Sequence, residues 1–455
     1  MRSHRLLTAS AVAVTAGALA LSLIPVQPEA LRQGATSPRR PIPPGSLPGH
    51  GSPTLLEPDG GRNYYAKFPS SLPSSPSFFP IGIWLESVID PPDTAKDQAI
   101  GLNTYVGLVP GSNLRLVEQA GMHVLGQAEL WAPARGRSSQ ALAGWLLADE
   151  IDMNEGPVKG SASLTRVVQR LPRNDGRLLY TNYGKGVTFW EPDAEASAFV
   201  SKYQDVASAD NYWFTDGDIC GSSQGGILIA QGRQLTEAEC RLAANYGRTV
   251  DRLRSLINPN ASLPVWNYVE VGHPFTDNAW PSITPPQVRA AVWSGIIHGA
   301  RGIVYFNHSF GGPAMTQHAL REPAYEQIRQ AVAGTNRQLT ELAPVLNGPT
   351  VTDLVENSSP VITRGIASTA GTTTTGMVDI LAKWSGGHFY LLVGSTSPQP
   401  RTNTLSTTCV GDATATVIGE SRTLPVESGR LTDTFSDGNA VHIYRIDGGG
   451  TCGLS

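Results

Sequence analysis

The sequence predicts an α/β fold: a (β/α)8 TIM barrel followed by a small antiparallel β-sandwich domain. Three observations predict it. Between residues 78 and 345, apolar runs of strand length alternate with helical stretches, a pattern that builds a parallel sheet. There are eight such units, the number that closes a barrel. Beyond Pro349 the helices stop, and short alternating runs punctuated by Gly, Thr and Ser replace them, as in antiparallel β structure.

The eight strands are expected at Phe79–Leu85, Thr104–Val109, Met122–Ala128, Leu142–Asp149, Arg177–Asn182, Val206–Tyr212, Leu263–Val269 and Arg301–Phe306. The fourth and seventh are almost continuously apolar, as strands buried on both faces are. Helix boundaries are signalled as well. Thr236-Glu-Ala-Glu239 is a capping box, expected to open one long helix to about Ile257. Thr284-Pro-Pro-Gln287 opens a second, with Pro285 at the first helical position and a stop at Gly299. A last helix should run from Ala324 to about Leu342. A doubly wound open sheet is the rival fold, but no Gly-rich phosphate loop follows the first strand. In the C-terminal part, strands are expected at Val378–Trp384, His388–Val393 and Ala440–Ile446, with Thr372 to Thr375 as a loop.

The chain has 455 residues, 40% of them hydrophobic and 16% charged, enough for a large core and more than one domain. Residues 1–30 read as an export signal: Met1-Arg2-Ser3-His4-Arg5, then an uncharged run from Leu6 to Val26. That run is also long enough to be an uncleaved membrane anchor, so the expected location is extracellular, with anchoring as the alternative. Residues 31–77, rich in Pro, Gly and Ser, are expected to be a linker without a core. The barrel should then occupy 78–345 and the β domain 346–455. A net charge of −4 and a pI near 6.2 give no sign of a nucleic-acid partner. Four cysteines in an exported chain suggest disulfides. Cys220–Cys240 with Cys409–Cys452 is the favoured pairing, because each pair then stays inside one domain. Neither a CxxC nor an HxxxH spacing supports zinc; no metal or cofactor is expected. An HExxH motif is also missing.

The chemistry is expected at the ends of the fourth and seventh strands. The fourth stops on Asp149 and Glu150, and the seventh runs into Glu270. In a closed barrel, residues just past the strand ends line one mouth, where such folds keep their active sites. Two carboxyls facing each other there suit cleavage of a glycosidic bond: one protonates the leaving oxygen and the other attacks the anomeric carbon or activates water. Trp145 and Trp266 lie on the same two strands. Other strand ends supply Trp84 and Glu86, Trp131, Asn182 and Tyr183, Asp210 with Tyr212 and Trp213, and Asn307 with His308. These are candidate substrate contacts, with Trp84, Trp131 and Trp213 as platforms for sugar rings. For each, packing in the core or an ion pair is the competing role.

On these residues the stretch from about 78 to 345 resembles the retaining glycoside hydrolases of clan A, which include families 5, 39 and 42. The resemblance implies a barrel with a catalytic glutamate after strand four as acid/base and one after strand seven as nucleophile. It thus points to Glu150 and Glu270 in those roles, and to an oligo- or polysaccharide as partner. Many members carry a small β domain behind the barrel. Two departures stand out. The clan has Asn before the acid/base, where this chain has Asp149, which when ionised can only accept hydrogen bonds. Family 5 often has His-x-Tyr at the sixth strand end; here Tyr212 fits and Asp210 does not. A barrel that binds carbohydrate without cleaving it is the alternative function.

Overall fold

The computed structural model describes residues 53–132, 139–172, 174–228, 233–257, 263–447 and 452–454. The expected export signal and the first part of the linker lie outside these. A short strand, β1 (Thr54–Leu56), precedes the barrel. The barrel strands are β2 (Ile81–Trp84), β3 (Thr104–Val106), β4 (His123–Gln127), β5 (Leu142–Asp149), β6 (Leu178–Tyr183), β7 (Val206–Ala209), β8 (Val265–Glu270) and β9 (Ile303–Phe306). They close in that order, every pair parallel, with β9 returning to β2 through Ile303↔Ile81. All eight overlap the expected positions.

Around the barrel run α1 (Pro91–Ala99), α2 (Leu114–Gln119), α3 (Ala128–Trp131), α4 (Ile151–Arg170), α5 (Asp193–Val200), α6 (Gly225–Leu228), α7 (Glu237–Cys240), α8 (Ala244–Leu256), α9 (Pro285–Ile297) and α10 (Glu326–Leu346). The capping boxes at Thr236 and Thr284 both form. The single helix expected after Thr236 is instead two, α7 and α8, broken at Arg241. There the Arg241 guanidinium turns back to donate to the carbonyls of Trp213 and Asp216. Gly299 closes α9 at φ +90°, a backbone state glycine adopts without strain.

Two apolar layers hold the barrel. Outward side chains join the helices in one large core. Inward side chains, among them Trp84, Leu146, Tyr180, Trp266, Tyr268 and Val304, fill the interior. The barrel is therefore packed shut below its mouth.

Among the described residues the second domain is an antiparallel sheet of 11 strands. Strands far apart in its ladder, such as Val378–Ser385 and Arg430–Phe435, share one core, which makes it a sandwich. Two expectations are corrected here. Thr373–Thr375 is a strand, pairing with Val378–Ile380, and not a loop; a threonine run suits a half-buried strand. Residues 53–77 are not a coreless linker. β1 adds to the sheet beside Thr350–Thr352, Tyr64 and Leu72 are buried, and the Tyr65 hydroxyl accepts from the Trp266 indole under the barrel. Proline and serine set the composition of this stretch, but a few apolar residues decide its fate.

Both expected disulfides form, Cys220–Cys240 and Cys409–Cys452. His298, at the end of α9, is buried where barrel and sheet meet. Its Nδ1 lies 2.7 Å from Asp251 Oδ2 and its Nε2 lies 3.3 Å from Asp379 Oδ2. Burial opposes the imidazolium, but the two carboxylates outweigh it and raise its pKa from 6.5 to about 9. The folded state thus holds this proton more tightly than the unfolded chain. The stability it confers is complete below pH 6.5 and is lost as pH rises through about 9. Calorimetry on His298→Gln should show a flatter decline of melting temperature over that interval than the native chain shows.

Candidate active site

The strand ends place a carboxylate cluster in the barrel mouth. β5 ends on Asp149, and Glu150 follows as the cap of α4 at φ 46°. That left-handed backbone costs a non-glycine residue about 1 kcal/mol or more, and turns the chain sharply from strand to helix. Gly184, just past β6, leaves the room this needs: a Cβ there would lie 3.1 Å from Glu150 Oε1 and collide with the Met153 sulfur.

Asn182 on β6 joins the neighbouring carboxylates. Its amide donates to Asp149 Oδ1 at 2.9 Å and to Asp210 Oδ1 at 3.0 Å. A relay fixes which way the amide points. Ser208 Oγ donates to Asn182 Oδ1 at 2.6 Å, and the Tyr180 hydroxyl lies 2.5 Å from Ser208 Oγ. Since Ser208 spends its one proton on Asn182, Tyr180 must donate to Ser208. The Tyr212 hydroxyl donates to the other oxygen of Asp210 at 3.0 Å.

Crowded carboxyls cannot all ionise. Burial first, then Asp149 and Asp152, raise Glu150 to about 7, with Lys185 acting the other way. Asp149 rises to about 6, again chiefly through the surrounding protein, tempered by its bond from Asn182. Asp149 reaches solvent through the mouth. Asp210 is held well above the carboxylate range by burial and by Glu150 and Asp149. The three titrate together as one cluster. Asp152 sits beneath, accepting from the backbone N–H groups of Gly184 and Val187.

Glu270, at the end of β8, has no exposed surface. The Tyr246 hydroxyl on α8 lies 2.7 and 2.8 Å from its two oxygens, and Thr215 Oγ1 donates to Oε1 at 3.0 Å. Burial raises Glu270 to about 7 against these donors, and Asp216 adds to the rise. The groups that shift Glu150 and those that shift Glu270 do not overlap. Lys185 stands between the two sets: it opposes the rise at Glu150 and pairs with Asp216 at 2.5 Å.

Other expected contacts turn out to be packed away. Trp84, Trp131, Trp213 and Trp266 are all buried. Trp131 donates to the Leu108 carbonyl and Trp213 to Thr249, so these rings are walls of the core and offer no stacking face. Tyr183 is buried, its hydroxyl bonded to Gln204 and the Phe199 carbonyl. Glu86 is fully buried, accepting from Asn307 Nδ2 at 2.6 Å and lying 2.5 Å from His318 Nδ1 and 3.1 Å from Arg321. Glu86 and Asn307 thus tie β2 to β9. His308 is nearly buried against the Leu85 carbonyl, 3.4 Å away, and burial lowers its pKa. Sequence reasoning missed Thr215, Asp216, Lys185, Ser208 and Tyr246. Thr215 and Asp216 could have been found by reading a few residues past Asp210-Asn-Tyr-Trp213. Tyr246, inside a helix, carries no such signal.

No known protein family matches the chain as a family, and no curated protein matches it. Solved structures do resemble it. A glycoside hydrolase family 5 protein from Bacteroides vulgatus is 13% identical, with 83% of this chain and 90% of that chain covered, at a TM-score of 0.47. Eubacterium rectale Amy13B is 10% identical, over 86% and 99% of the two chains, at 0.45. A GH30 endoxylanase from Clostridium papyrosolvens is 9% identical, over 81% and 96%, at 0.42. At these scores the architecture rests on the strand pairing itself and not on the likeness. Among the described residues no cluster of His, Cys, Asp and Glu is arranged to hold a metal ion, and no helix is long and apolar enough to cross a membrane.

Proposed function

We propose that this chain is an exported glycoside hydrolase, with Glu150 as acid/base and Glu270 as nucleophile of a retaining double displacement. The observation that carries the reading is Glu150: a carboxyl at the end of the fourth barrel strand, partly open to the mouth, raised to about 7. Such a group is half protonated at neutral pH, as a general acid needs to be. Protonating the glycosidic oxygen releases the aglycone while Glu270 attacks the anomeric carbon. Glu150, now ionised, then takes a proton from water, which cleaves the glycosyl ester. Tyr246 and Thr215 favour the ionised form of Glu270. For substrate to meet that carboxylate, the residues covering it must shift.

The complete burial of Glu270 favours a second reading, a barrel that binds carbohydrate in its acidic mouth without cleaving it. A panel of polysaccharides and aryl glycosides, furanosides included, separates the two. Products of retained anomeric configuration by NMR support the first reading. Inverted products refute the retaining mechanism, and binding without release of aglycone from any member refutes catalysis. Tyr246→Phe should leave KM nearly unchanged. Loss of its donor raises the Glu270 pKa further, so the acidic limb of the kcat–pH profile should move to higher pH. An unmoved limb removes Glu270 from the nucleophile's role.

A further inference from the structure

A cavity of about 400 Å3 lies at the opposite end of the barrel, where the N-terminal ends of the strands face the β domain. It cannot belong to the mouth, since its wall includes Leu263 and Arg301, which precede β8 and β9. Much of the wall is aliphatic: Leu56, Ile296, Leu346, Leu381 and Ile366. Into it come three cations, Arg254 from α8, Arg301, and Lys383 from the strand Val378–Ser385.

The charges do not balance. Among the described residues two carboxylates line the cavity, Glu57 and Asp59, against three cations. Asp59 pairs with Arg254. Glu57 is mostly exposed and lies 3.6 Å from Arg62. Arg301 donates to the Leu346 carbonyl at 2.7 Å and to Asn347 Oδ1 at 2.9 Å, both neutral. Lys383 donates to the neutral Gly348 carbonyl at 2.9 Å; an ammonium carries three donors. The buried Arg254 Nε has no hydrogen-bond partner among the described residues. Burial, together with Arg301 and Arg254 and against the pull of Asp59 and Glu57, pushes the Lys383 ammonium well below its usual range. Buried cations in excess of the carboxylates beside them are costly, and a bound anion relieves Arg301 and Lys383 together.

We propose that this cavity is a binding site for a small organic monoanion: a carboxylate at the Arg254–Arg301–Lys383 end with an apolar body against the aliphatic wall. The volume suits such a molecule, and clefts between domains are where small ligands commonly bind. The excess of positive charge at Arg301 and Lys383 selects an anion, and the aliphatic wall selects against sugars and inorganic ions. This inference stands apart from the chemistry of the mouth, and its failure would leave that reading untouched.

Calorimetric titration of the whole protein at pH 7 tests it, with hexanoate, hexanamide and inorganic phosphate as probes. Hexanoate should bind with a sub-millimolar Kd, the neutral amide about tenfold or more weaker, and phosphate weaker still. Lys383→Met, which replaces the buried ammonium by an apolar side chain of similar length, should weaken hexanoate by about tenfold. Ile366→Trp, at a half-buried wall position, should fill the cavity and abolish binding even where Lys383→Met fails to fold. No heat with hexanoate, equal affinity for the amide or phosphate, or undiminished binding in Ile366→Trp overturns the proposal.

Discussion

Glu150→Ala should slow turnover of glycosides with poor leaving groups by about 100-fold to 10,000-fold, the usual worth of general acid catalysis, while activated aryl glycosides lose far less in the first step. The difference arises because only a basic leaving oxygen needs a proton as its bond breaks. Deglycosylation then becomes limiting for the activated substrates, since no base remains to activate water. Azide, which needs no base, should enter the space left by the carboxyl and release a glycosyl azide of retained configuration. Product NMR checks the configuration and a leaving-group series checks the slope. Equal losses across the series would assign the acid elsewhere in the cluster, to Asp149 or Asp210.

Glu270→Gln should abolish hydrolysis and at the same time stabilise the fold near neutral pH. Glu270 is fully buried, with a pKa raised from 4.5 to about 7. Between those values the folded state keeps a proton that the unfolded chain has released. Stability from this group is therefore complete below pH 4.5 and falls as pH rises through about 7. The loss is roughly 3 kcal/mol at one pKa unit per 1.36 kcal/mol. Glutamine cannot ionise, so the variant escapes that loss while its amide oxygen still accepts from Tyr246. Denaturant titrations at pH 5 and pH 8 should show the variant gaining on the native chain only at the higher pH. A parallel pair of curves would mean that the carboxylate is better satisfied than its burial implies. His298 loses its contribution in a window above this one, so the native chain should be most stable on the acid side of neutrality.

The barrel was legible because its strands are written twice, once as apolar runs and once by the helix caps between them. The ends of β5 and β8 were legible for a related reason: a charged residue closing a buried strand has few places to go. What the sequence did not disclose is where a side chain finds its partners. Trp213 and Asp210 are three residues apart, yet one packs behind β7 against Thr249 and the other joins Asn182 in the mouth. Glu86 and Asn307 looked like rim groups, and in three dimensions they satisfy one another beneath it. The donors to Glu270 come from Thr215 and from Tyr246. Only the folding of α8 against the seventh barrel strand brings Tyr246 there, and no local pattern records that contact.

The strand at Thr54–Leu56 bears on how the protein can be trimmed. Composition alone invites a cut before Phe78, just ahead of the first barrel strand. Such a cut would strip the terminal strand from the antiparallel ladder and leave Val351 and its neighbours as a bare edge. Unpaired edges recruit other chains, so the shortened protein should self-associate even with its barrel intact. It would also take Tyr65 from Trp266 and Asp59 from Arg254, leaving a buried indole N–H without its acceptor and a buried guanidinium without its carboxylate. The minimal folding unit therefore starts before Thr54, some two dozen residues earlier than the barrel it carries.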